Sequence, residues 1–268
     1  LDHLVRNVET GTQLKIYILD VSKAELLADV AAANDLRRTG LFHLLAAAPP
    51  NGEPWSLLGF DCYFRPWIDD IELLARVAML ADFAGAPLIA AADCSLLGVK
   101  NPEHLGENDD WDIVNPIWDE IRSLPEACRI GLTMPRVISR QPYGKDSSPL
   151  EKFKFEEMPE GSTHANYLWG NGMYPAVALI CQAFSEEKWR MRPGQFQNIH
   201  SLPVHNWKEY GNVEIKPCAE VLLTLKAAET MIALGLMPML SMKGSDQVRI
   251  GAFQSIAKPP SPLEGRWR

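Results

Sequence analysis

Cysteine is sparse and nothing in its spacing pairs it. The five cysteines, at 62, 94, 128, 181 and 218, are dispersed over 268 residues with no CxxC. An odd, scattered set suits neither a disulfide framework nor a thiolate zinc site, and reads as reduced core thiols in a cytoplasmic protein. Long apolar runs are also missing. Met173 to Cys181 and Met231 to Leu240 each contain a proline and fall short of the ~18 residues of a membrane span. No basic-then-apolar leader opens the sequence, so neither export nor membrane insertion is expected. Positive charge is in deficit: 26 Lys and Arg against 34 Asp and Glu give a net charge of −8. That balance disfavours nonspecific nucleic-acid binding and attachment to anionic membranes.

Signatures of chemistry are equally scarce. There is no Walker A loop, no GxGxxG and no GxSxG elbow. Gly170-Asn-Gly172 is a lone glycine pair, better suited to close helix packing than to cradling a phosphate. The six histidines are scattered, and only His200 and His205 are near neighbours. Their odd offset on an extended segment puts them on opposite faces, which argues against a shared metal. Glu107, Asp109, Asp110 and Asp112 lack the glycine and terminal glutamate of a calcium loop and read as a solvated face. Asp69 and Asp70 are explained as helix caps, and Gly244-Ser245-Asp246 as a turn. The expectation is a protein without cofactor, metal or catalytic residues.

What is present is an ordinary globular composition, 47% hydrophobic and 22% charged, in which strands and helices alternate. Gln13 to Val21 alternates like a strand, and Ser22 to Glu25 is a capping box opening a helix with Leu26, Leu27 and Val30 inward. A second helix is expected over 35–47. A strand over 55–64 then precedes a long helix to Phe83 that turns Ile71, Leu74, Val77, Ala78 and Ala81 inward. Pro87 to Ala92 is wholly apolar, as a central parallel strand would be. Further on come a helix over 113–124, a strand over 129–133, and an irregular excursion over 135–160. A buried helix, kinked or split at Pro175, is expected over 164–184. Beyond it lie strands over 202–207 and 213–215, a helix over 224–234, strands over 237–242 and 247–253, and an extended proline-rich tail. The fold class is α/β, a parallel or mixed sheet flanked by helices.

The charge divides unevenly. Residues 1–134 carry 10 basic and 21 acidic side chains, and residues 135–268 carry 16 and 13. The acidic α/β half and the second half, which holds the excursion, are read as two parts of what could be one continuous domain.

Five blocks carry a family resemblance. They are Leu14 to Lys23; Met134 to Gly144 with Pro149 to Glu157; Tyr167 to Asn171; Gly235 to Leu240; and Phe253 to Ala257. In this order they resemble the large subunit of the bacterial type VI secretion contractile sheath, the TssC/VipB family. The resemblance implies a structural, non-enzymatic protein. It would pair with a small sheath subunit (TssB/VipA-like) and with neighbouring copies of itself, polymerising as a sleeve around an inner tube. An ATP-driven unfoldase would recycle the contracted sleeve. Family members extend further at both ends, so the sequence reads as a trimmed or short form. Two other readings stay open: a sheath-fold adaptor or cap that does not polymerise, and an α/β enzyme whose acid–base site assembles only in space.

The motif residues also have a physical reading. Of Arg136 and Arg140, four apart on extended backbone, one or both are expected to turn inward onto Glu151, Glu156 or Glu157 and pin the excursion; the alternative is that both are ordinary solvated charges. Pro142-Tyr143-Gly144 supplies the turn this needs. Phe153 and Phe155 share a face and are expected to bury together. Tyr167, Trp169, Gly170 and Asn171 complete the interface motif.

Overall fold

A computed structural model describes residues 2–7, 12–105, 111, 116–204, 206–209 and 212–267. The expected acidic loop over 107–112, apart from Trp111, and His205 lie outside them. The helices are α1 (Asp2–Asn7), α2 (Lys23–Ala31), α3 (Gly40–Phe42), α4 (Ile68–Ala84), α5 (Pro116–Arg122), α6 (Met173–Glu187) and α7 (Leu225–Ala233). The first five strands are β1 (Leu58–Phe64), β2 (Leu88–Ala92), β3 (Ile130–Met134), β4 (Val137–Ile138) and β5 (Trp169–Gly170). The others are β6 (Asn198–Ile199), β7 (Asn206–Glu209), β8 (Asn212–Ile215), β9 (Met237–Ser241) and β10 (Val248–Ile250).

Six strands form one mixed sheet in the order β1-β2-β3-β9-β10-β6. The first four run parallel, and β10 and β6 complete the sheet antiparallel. Both chain halves therefore contribute to one sheet, joined where Thr133 meets Met237. Strand β2 shows why the sheet is covered on both sides. Leu88, Ala90 and Ala92 pack with Leu73, Leu74 and Leu80 of α4, whereas Ile89 packs with Ala176, Leu179 and Ile180 of α6. Two-sided burial is what its unbroken apolar run requires. Each fully buried leucine contributes roughly 1.5–3 kcal/mol by leaving water.

Several elements follow from local chemistry as expected. Ser22 and Glu25 form the reciprocal capping box of α2, and Thr224 caps α7 by accepting from the Ala227 N–H. Others differ. Gln13 to Val21 is extended but joins no ladder among the described residues, and Ile18 is 66% exposed. Alternation specifies extended backbone, not a partner for it. The helix expected over 35–47 is broken into a 3-10 turn, α3 and a π-helical turn. The break has a cause: the Asp29 carboxylate accepts from the Gly40 and Leu41 N–H groups at 2.8 and 2.9 Å, and Thr39 Oγ1 accepts from Phe42. Together they start a new helix in mid-run.

Asp69 and Asp70 do not cap α4, whose N-cap is Trp67. Asp70 is instead buried, accepting from the Arg65 N–H at 2.9 Å and pairing with Lys23 Nζ at 2.7 Å. The long helix expected from His164 begins only at Met173. Thr163 and Asn166 cap a single 3-10 turn, and the chain then extends so that β5 can pair with β4. Pro175 falls in the first turn of α6, where no backbone donor is needed, so the helix gains no kink from it. The tail is extended but anchored: Ile256 and Leu263 are buried, and the buried Arg122 donates to Ile256 O at 2.8 Å and Ala233 O at 3.2 Å.

Candidate assembly surface

Leaving β3, the chain passes Pro135 and forms β4, a hub for three separate segments. On one side Val137 and Ile138 pair antiparallel with Gly170 and Trp169, and the Ser139 N–H donates to Leu168 O at 2.9 Å. On the other side Val137 bridges Ala219; Ile138 N donates to Cys218 O, and Glu220 N donates to Arg136 O. Two of the sequence blocks that carry the resemblance, Met134 to Gly144 and Tyr167 to Asn171, thus meet as neighbouring strands.

That ladder sets the partner of Arg136. Its guanidinium binds Glu220 in a fork, Nε to Oε2 at 2.9 Å and Nη2 to Oε1. Of the two arginines, Arg136 is the one that does not reach Glu151, Glu156 or Glu157. The backbone pairing delivers Glu220, which sits 84 residues away in sequence. Arg140 does bind within the excursion. Its Nη1 and Nη2 donate to the Glu157 oxygens at 2.7 and 2.9 Å, and its plane stacks 4.1 Å from the Tyr143 ring centre. Glu157 also accepts from the Tyr143 N–H at 2.8 Å. The Arg140 hydrogen bonds, ahead of the opposing cost of burial, hold the Glu157 carboxyl below the ordinary glutamate value.

Inside this clasp the chain turns tightly. Ser147 Oγ donates to Pro142 O at 2.6 Å, and Gly144 lies so close to the Glu156 carboxylate that a Cβ there would collide with it. Glu156 accepts from the Lys145 N–H at 3.3 Å, whereas Glu151 is exposed. Phe153 and Phe155 stand side by side with ring centres 6.0 Å apart, but they are not buried; they are 60% and 45% exposed. The clasp holds the excursion at its two ends, and among the described residues no second layer covers Phe153 and Phe155 in its middle.

Below it, Tyr167, His164 and Trp169 form an edge-to-face cluster, with His164 and Trp169 ring centres 4.9 Å apart. His164 Nε2 lies 3.2 Å from Ala219 O, and its buried Nδ1 has no hydrogen-bond partner among the described residues. Burial therefore lowers the His164 pKa from 6.5. Asn171 is buried, donating to Cys62 O at 3.3 Å and accepting from the Met173 N–H at 2.8 Å. Gly170 and Gly172 lie against Ser139, Thr133 and Met239, with no room for a Cβ. The pair brings the start of α6 down onto the sheet, a packing use of glycine.

Burial pushes the Cys94, Cys128, Cys181 and Cys218 thiols up to about 11, leaving them protonated and poorly nucleophilic. A cavity of about 280 Å³ is lined by Asn34, Asp35, Leu36, Arg37, Arg76, Met79 and Phe83. Its one carboxylate, Asp35, is occupied in accepting from the Arg37 N–H. Among the described residues no three His, Cys, Asp or Glu converge as metal ligands, and no helix is long and apolar enough to cross a membrane.

The structure is an α/β protein, a mixed six-stranded sheet packed by helices on both faces, an arrangement consistent with a contractile-sheath-like fold. The chain belongs to the VipB family: the profile of its tail sheath N-terminal domain matches residues 1–257. The chain is also similar to the type VI secretion system sheath protein TssC1 of Pseudomonas aeruginosa, at 30% identity over 273 aligned positions. That alignment covers 97% of this chain and 55% of TssC1, so the chain spans about half the length of the curated relative it matches.

Proposed function

We propose that this chain forms the body of a contractile-sheath large subunit. It pairs with a small sheath subunit and with copies of itself, and polymerises in the bacterial cytoplasm as a sleeve around an inner tube. The match to the tail sheath domain over residues 1–257 carries this reading. The surface supports it. Ile18, Ile68, Phe153 and Leu225 all face solvent, on four different segments of the chain. Exposed apolar side chains of this size on several segments suit a subunit that is covered by neighbours.

Native mass spectrometry after co-expression with a small sheath subunit tests the pairing. A one-to-one complex, or multiples of it, is expected. A large subunit recovered only as free monomer would contradict the reading.

A further inference from the structure

Strands β4 and β5 close a loop, residues 139–168, that carries the clasped excursion, and His164 ties the exit of that loop to the rest of the fold. The ring stands on the 3-10 turn His164–Asn166, with Nε2 3.2 Å from Ala219 O. A carbonyl only accepts, so Nε2 carries the ring proton and Nδ1 holds a bare lone pair. Nδ1 is buried and has no hydrogen-bond partner among the described residues. The ring meets Tyr167 and Trp169 edge to face. Trp169 pairs with Ile138 on one side of β4, and Ala219 bridges Val137 on the other. One neutral imidazole therefore joins the two segments that flank β4.

We propose that His164 is an acid-released latch: protonation of its ring frees the 163–170 segment from Ala219 and opens the base of the excursion while the six-stranded sheet stays folded. The second proton has only Nδ1 to occupy, and there it makes a buried, charged N–H without an acceptor. Burial is the largest influence on the ring and opposes its charge. The Ala219 carbonyl, Glu220 and Glu103 of the 3-10 turn Pro102–Leu105 favour the charge, Lys216 opposes it, and the balance stays on the neutral side. Glu220 is already forked to Arg136, and burial keeps the Tyr167 hydroxyl protonated up to about 12. Once the ring leaves, water solvates its charge, so falling pH favours the open form. The Glu157 carboxyl, held below 4.5, stays ionised at mildly acid pH, so the clasp remains shut as its base opens. The excursion that bears Phe153 and Phe155 would then move as a closed unit.

The latch goes beyond the sheath reading and does not depend on it. Hydrogen exchange of the whole chain, read by mass spectrometry at about pH 7.5 and about pH 5.5 and corrected for intrinsic rates, tests it. Peptides covering 136–139 and 163–171 should be less protected than those of β2 and β3 at both pH values, the mark of a local opening. In the wild type their protection should fall at the lower pH by up to about tenfold, the ceiling for an opened ring that titrates at 6.5. His164→Gln, whose amide can still donate to Ala219 O, and His164→Phe, which keeps the ring packing, carry no titrating group there. In each the fall should shrink to less than about twofold, with thermal melts verifying the fold. Equal protection of these peptides and of β2 and β3 would overturn the latch, because the segment would then open only with the whole protein. So would a wild type whose protection does not fall, or variants that lose as much as the wild type.

Discussion

Arg136 and Glu220 form a forked ion pair in which the glutamate side chain is only 7% exposed while the arginine side chain is 40% exposed. The asymmetry decides what each truncation costs. Removing the arginine strands a buried charge, whereas removing the glutamate leaves a cation that water can reach.

Arg136→Ala should therefore destabilise the protein by about 2–4 kcal/mol, at or below the usual range for breaking a buried pair because half the pair is wet. Glu220→Ala should cost less, about 1–2 kcal/mol. Urea denaturation of both single variants and the double variant measures this. Equal costs for the two single changes would show that the pair is not asymmetrically buried.

Arg140→Ala breaks a more exposed pair, with side chains 34% and 22% accessible, and should cost only about 1–2 kcal/mol despite its forked geometry. Its larger effect is local, since Glu157 also holds the Tyr143 N–H. Limited proteolysis should cut within 143–157 faster in this variant. An unchanged digestion rate would mean that the clasp does not hold the excursion.

The clasp should also respond to acid. The Glu157 pKa is lowered in the folded state, chiefly by Arg140, so its contribution is present above the ordinary value of 4.5 and is lost as pH falls through the folded value. His164 acts in a higher window. Burial lowers its folded pKa below 6.5, so the unfolded chain takes up the proton first and stability declines as pH drops below 6.5. Melting temperatures measured from about pH 7.5 to 5 should fall less steeply in His164→Gln than in the wild type. Parallel curves would contradict the assignment.

Gly235 has φ +85°, and a Cβ there would meet the Ile256 backbone at 2.9 Å and Arg122 Nε at 3.2 Å. Gly235→Ala combines strained backbone with a clash against the anchored tail and should cost about 2–4 kcal/mol. A loss below about 0.5 kcal/mol, the scale of an ordinary surface change, would show that the tail packs loosely there.

These sites also mark what was legible in the sequence. Local chemistry read true where the cause was local: the Ser22–Glu25 box, the apolar run of β2, the inward stripe of α4. Arg140 and Glu157 could be paired because one short excursion contains both. Glu220 could not be found, because nothing in the sequence shows that 218–220 runs beside 136–138. The exposure of Phe153 and Phe155 was missed for a related reason: period-two spacing puts two side chains on one face but does not say whether anything covers that face. The close packing read for Gly170 and Gly172 held, but the helix expected around them did not: they precede α6 and seat its start on the sheet.

Electron microscopy of the chain co-expressed with a small sheath subunit decides whether it forms the body of a sheath. Hollow helical tubes containing both proteins in equal amounts are the expected result. Discrete particles of fixed small size, with no tubes across a range of salt and protein concentration, would contradict it and favour an adaptor that has kept the fold without the polymer.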